Sequence, residues 1–79
     1  MNLLIKTFGP AREIMGGKQV SLELSGNSVG DLRAQLVKTW PALARLRSIM
    51  IAVNESYAED QLVLKAEDEV AIIPPVNGG

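Results

Sequence analysis

Residues 2–8, NLLIKTF, put Leu3 and Ile5 on one face of an extended chain and Leu4, Lys6 and Phe8 on the other. This predicts a strand whose second face meets water, at least in part, because it carries Lys6. Gly9 ends it, and Pro10 fits the first position of a short helix. Gly16-Gly17 stops that helix and turns the chain. KQVSLEL then alternates cleanly, with Val20, Leu22 and Leu24 facing in and Ser21 and Glu23 facing out. It reads as a half-buried strand pairing with the first.

The clearest helix lies in SGNSVGDLRAQLVKTW. Ser28 is a good N-cap, and Asp31 three residues later gives a capping-box-like arrangement. Val29, Leu32, Leu36 and Trp40 recur at helical spacing and share one face. Pro41 disfavours helix at Trp40 and beyond, and PALARLRS predicts at most a further helical turn. IMIAV, 49–53, is a nearly all-apolar run that suits a central strand covered on both faces. Asn54 is a turn residue. Residues 56–69 predict short irregular strands and turns. EVAIIP, 69–74, is the last strand, with Val70 and Ile72 on one face and Ala71 and Ile73 on the other. The order β-β-α-β-(β)-β predicts an α+β fold. Its mixed sheet of four to five strands is covered on one face by one main helix, the β-grasp arrangement.

A chain of 79 residues is one small domain, in which exposed apolar surface is noticeable. It has no cysteine, hence no disulfide scaffold, thiolate metal site or cysteine nucleophile. It has no histidine, the commonest general base and metal ligand. Side-chain catalysis by this chain alone is not expected. The net charge of −1 gives no footprint for nucleic acid or an anionic membrane. The basic residues Arg33, Lys38, Arg45 and Arg47 read as a solvated helix face. With no membrane-length apolar stretch and no signal-like N-terminus, a cytoplasmic protein is expected.

The chain finishes AIIPPVNGG, and a core has no use for a terminal Gly-Gly. Alone it reads equally as a frayed end. After Pro-Pro-Val on a last strand it reads as a device. Pro74 and Pro75 fix φ and lack N–H groups, which ends the sheet and keeps the last residues extended. Gly78 and Gly79 lack Cβ, so this backbone can thread a narrow channel and its terminal carbonyl carbon is unshielded. The expected division is a β-grasp domain, 1–74, and a flexible tail, 75–79.

Three stretches resemble the MoaD/ThiS family of ubiquitin-like sulfur carriers, most closely the branch that serves molybdopterin synthase. FGPARE, Phe8 to Glu13, resembles its aromatic-x-x-x-Arg-Glu segment. AVN, Ala52 to Asn54, resembles its central strand and turn. DEVAIIPPVNGG, Asp68 to Gly79, resembles its acidic turn, last strand and Pro-Pro-Val-x-Gly-Gly tail. Glu67 departs from the family, which often has Gly there, so this turn is expected to differ in shape. The resemblance implies that Gly79 carries the reactive carboxylate. An E1-like activating enzyme adenylates it with ATP, and a persulfide-type donor converts it to a thiocarboxylate. Threaded into the large subunit by Pro74, Pro75, Val76, Asn77 and Gly78, it gives its sulfur to a cyclic pyranopterin. Two transfers build the dithiolene of the molybdenum cofactor. The resemblance implies no bound cofactor or metal, a heterotetramer of two small and two large subunits, and a partner interface at Phe8, Tyr57 and Ile73. Arg12, whose FGPARE segment also reads as an ordinary helix start, is a candidate for a charge-assisted contact with the partner. A minor core under the loop of residues 55–66 is the competing reading of those apolar residues. Trp40 reads as core or core edge. Alternative functions are a thiamine-type carrier, a ubiquitin-like protein modifier joining Gly79 to lysines, and a plain β-grasp interaction module.

Overall fold

The computed structural model describes residues 1–46 and 49–73. Arg47 and the tail positions Pro74, Pro75, Val76, Asn77, Gly78 and Gly79 lie outside the described residues, as does the proposed boundary at 74/75.

The elements run β1 (Asn2–Thr7), α1 (Pro10–Met15), β2 (Gln19–Glu23), α2 (Val29–Thr39), a 3-10 turn (Pro41–Arg45), β3 (Met50–Val53), β4 (Ser56–Tyr57) and β5 (Val70–Ile73). They form one mixed sheet in the order β2-β1-β5-β3-β4. β1 and β5 are parallel; the other pairs are antiparallel. This is the β-grasp arrangement expected from the element order.

The β1 alternation sets the layers. Leu3, Ile5 and Thr7 are buried, while Leu4 and Phe8 stand on the opposite, open face. Leu22 of β2, Ile51 and Val53 of β3, and Val70 and Ile72 of β5 join the buried side. α2 covers that side with Val29, Leu32 and Leu36, and Leu43 of the 3-10 turn closes the end. Trp40 packs partly buried at the edge of this core. Apolar surface removed from water at about 25 cal/mol per Å² is the main force holding the two layers together.

The ends of the helices follow local chemistry. Ser28 Oγ accepts from the Asp31 N–H at 3.0 Å, and Asp31 Oδ2 accepts from the Asn27 and Ser28 N–H groups at 3.0 and 3.1 Å. The capping box is therefore complete. These bonds to the ionised form hold the Asp31 carboxyl below its ordinary value, the Asn27 N–H contributing most. α1 ends at Gly16, whose φ of 88° is left-handed, and the Gly16 and Gly17 N–H groups both donate to the Arg12 carbonyl.

Three expectations need correction. β3 is not covered on both faces: it lies between β5 and the two-residue β4, and Met50 is 41% exposed on the open side. Only its neighbour Ala52, too small to project, is buried there. Nor does the loop after β4 form a second core beneath Phe8 and Tyr57. It crosses to the helix side, where the Val29 N–H donates to the Leu62 carbonyl, the Gly30 N–H to the Asp60 carbonyl and the Leu64 N–H to the Asn27 carbonyl. Leu64 belongs to the main core. Arg33 is more than a solvated side chain, because its fork spans Asp60 Oδ1 at 3.1 Å and the Ile49 carbonyl at 2.8 Å. Lys38 and Arg45 are exposed, as expected.

Candidate functional site: the open face of the sheet

The face turned away from α2 has a definite cross-section. Lys6 stands opposite Ala71, Ala71 opposite Ala52, and Ala52 opposite Tyr57, so one row crosses β1, β5, β3 and β4. In the next row Ile73 stands opposite Met50. Alanines in the middle and long side chains at the margins make a hollow. Its volume is about 360 Å³, and Lys6, Phe8, Tyr57, Glu69 and Ile73 form its rim over the Ala52–Ala71 floor. Phe8 is 43% and Tyr57 66% exposed, and Leu4 extends the apolar surface along β1. Exposed apolar surface on a small domain makes this face the candidate interaction site, and aromatic residues are common anchors at such sites.

Of the residues singled out from the sequence, Phe8, Tyr57 and Ile73 come together around this one hollow. Arg12 stands beside Phe8, its guanidinium carbon 6.0 Å from the ring centroid. Its Nη2 donates to the Thr7 carbonyl at 3.2 Å, while its buried Nε–H meets no acceptor among the described residues. The Thr7 side chain is itself anchored, donating to the Gly17 carbonyl. Ile73 is the last residue of β5 and lines the hollow, and Pro74 follows it in the sequence.

Sequence reasoning missed the floor and the charged rim. Ala52 and Ala71 carry no chemical signal, and only cross-strand register places them side by side. Lys6 pairs with Glu69 at 3.1 Å across the rim, a solvent-exposed pair of small energetic worth.

A polar clasp fixes the lower edge. Asn54 and Glu55 form the two-residue β3–β4 turn with φ of 52° and 70°. The Asn54 side chain donates to Asp68 Oδ1 at 3.0 Å and accepts from the Glu69 N–H at 2.9 Å. Asp68 Oδ2 accepts from the Lys65 N–H at 2.8 Å. That bond first, then the Asn54 amide, lowers the Asp68 carboxyl below its ordinary value. The turn before β5 is thus closed by a side chain, and Glu67 sits in it without a left-handed φ. Among the described residues no group of acidic side chains is placed to hold a metal ion, and no helix is long and apolar enough to cross a membrane.

Sheet order and single covering helix define a ubiquitin-like β-grasp domain. The ThiS family profile matches residues 5–79, and the chain belongs to that family. It is 37% identical over 83 residues to the molybdopterin synthase sulfur carrier subunit of Chlamydomonas reinhardtii, covering 100% of both chains. To the protein of the same name from Arabidopsis thaliana it is 35% identical, covering 100% of this chain and 84% of that one. Among solved structures, SAMP1 from Haloferax volcanii, a small archaeal modifier protein, has a TM-score of 0.81 at 30% identity with 100% of both chains covered. A chain from the complex of subunits 1 and 2 of molybdopterin-converting factor of Helicobacter pylori has a TM-score of 0.68 at 26% identity, again with 100% of both covered.

Proposed function

We propose that this chain is the sulfur carrier subunit of a molybdopterin synthase, docking through its open sheet face and working through the carboxylate of Gly79. The observation that carries the reading is the apolar hollow rimmed by Phe8, Tyr57 and Ile73, from whose margin the chain runs on into PPVNGG. Similarity to sulfur carrier subunits over all of this chain supports it. The two-subunit Helicobacter complex supports the large synthase subunit as partner; the assembly we propose is a heterotetramer of two small and two large subunits.

The chemistry suits a tail rather than a side chain. A carboxylate is a poor electrophile until one oxygen becomes a leaving group. An E1-like activating enzyme supplies that by forming the acyl adenylate from ATP, and this chain binds neither nucleotide nor metal itself. The terminal sulfur of a persulfide-type donor displaces AMP and leaves an acyl disulfide. A second thiol then cleaves its S–S bond, forming a disulfide with the donor and releasing the thiocarboxylate, which enters the large subunit and delivers sulfur to a cyclic pyranopterin. The setting is the cytoplasm.

Incubation with activating enzyme, ATP and a sulfur donor, followed by intact mass spectrometry, tests the reading. One oxygen of the chain should be replaced by sulfur, and addition of large subunit and pyranopterin should consume that sulfur. An unchanged mass under conditions that charge an authentic carrier sinks the proposal and leaves a plain interaction module. The likeness to SAMP1 favours one second reading, a protein modifier. It requires higher-mass conjugates in cells through Gly79 to lysine. The names of the relatives rank a thiamine-type carrier lower.

A further inference from the structure

We propose that Arg12 is a positioning residue, which promotes docking by holding Phe8 in place and not by touching the partner. This rests on the reading of the open face as the docking surface.

Phe8 stands at a weak point. It follows the last residue of β1 and precedes Gly9, whose φ of 56° and ψ of −138° lie where only glycine is comfortable. It is 43% exposed, so neither a ladder nor a packed core fixes its ring. Arg12 returns from α1 and grips this point twice. Nη2 holds the Thr7 carbonyl, which belongs to the peptide leading into Phe8, at 3.2 Å. The guanidinium also stands 6.0 Å from the ring centroid, within cation–π range. Arg12 is itself held, because its carbonyl accepts from both Gly16 and Gly17 and its helix is seated by buried Ala11 and Met15. A planar fork can bond a carbonyl and face a ring together; an ammonium cannot do both as well. Freezing an exposed side chain on docking is unfavourable, and an anchor held beforehand avoids it.

The test is a double-mutant cycle on affinity for the purified large synthase subunit, using wild type, Arg12→Met, Phe8→Ala and the double variant. Arg12→Met should weaken binding about three- to tenfold in the wild-type background. It should change nothing further once Phe8 is alanine. Arg12→Lys, which keeps the charge without the fork, should fall between wild type and Arg12→Met and guards against a misfolded methionine variant. In the free protein, NMR couplings should report one Phe8 χ1 rotamer in wild type and averaging in Arg12→Met. Equal losses from Arg12→Met in both backgrounds, or an unchanged Phe8 rotamer, overturn the positioning role and leave the docking reading intact. No loss of affinity in Phe8→Ala overturns the docking reading, and the positioning role with it.

Discussion

Ala71 of β5 stands directly opposite Ala52 of β3 on the open side of the sheet, and this pair of methyl groups makes the floor of the hollow. Small side chains between longer ones leave the space. Ala71→Leu should therefore fill it. The added atoms point away from the core, so the unfolding midpoint should stay near wild type. Binding to the large subunit should weaken by about 1–3 kcal/mol, the usual penalty for overfilling a fitted contact. Calorimetric titration checks the affinity, and undiminished binding would place the contact elsewhere.

Leu36 tests the other layer. It is fully buried beneath α2 with Leu32 and Val29. Leu36→Ala should cost about 2–5 kcal/mol in urea unfolding, a large share of what so small a domain possesses.

The helix face of Leu36 is legible in the sequence because period and cap agree: Ser28, Asp31 and the Val29–Leu32–Leu36 spacing each mark the same element. The two-sided alternation of β1 and β5 is legible for the same reason, and the pattern alone puts Phe8 and Ile73 on one face. Lateral order is not legible. Nothing in MIAV says that β3 has β5 on one side and only the two residues of β4 on the other. An all-apolar run looks central wherever it lies, so Met50 reads as covered. The path of the loop after β4 is hidden for a similar reason. It is set by backbone bonds to the start of α2, which have no side-chain signature. The Asn54–Asp68 clasp joins residues 14 apart in sequence, and only Asn54 carries a local signal, as a turn former.

The β3–β4 turn has a correctable strain. Glu55 holds a φ of 70° without being glycine, and a left-handed residue costs roughly 1–2 kcal/mol. Glu55→Gly should raise stability by about 0.5–1 kcal/mol, the gain being trimmed by the greater freedom of glycine in the unfolded chain. A lower midpoint in denaturant would mean that the Glu55 side chain makes a stabilising contact outweighing the strain.

Acid should act through the carboxylates of Asp31 and Asp68. Both are held below their ordinary value of 3.8 in the folded chain. A depressed folded pKa stabilises above the unfolded value, and that stabilisation disappears as pH falls through the folded one. The denaturant midpoint should thus be insensitive to these groups above about pH 5 and drop below about pH 4. Asp68→Asn has one acceptor where two are used, so its midpoint should be lower at pH 7 and its acid limb shallower. Parallel limbs for variant and wild type would remove Asp68 from the account.

The tail should be unforgiving of length. If the carboxylate of Gly79 is the working group, activating and transferring sites must hold it in place while the docked face fixes where β5 ends. Deleting Gly79 retracts the carboxylate by one extended residue, roughly 3.3–3.6 Å, and adding one residue advances it as far. A misplacement of about 1 Å can cost on the order of a hundredfold in rate. Both variants should match wild type in thermal unfolding, because the core formed by the described residues needs nothing beyond Ile72. Both should bind the large subunit through the sheet face. Neither should accept sulfur in the presence of activating enzyme, ATP and donor, read as the intact mass of the chain. A length variant that acquires sulfur and completes dithiolene formation as fast as wild type would show that the terminal glycine is not the working group. The open face would then remain as a docking surface without a cargo.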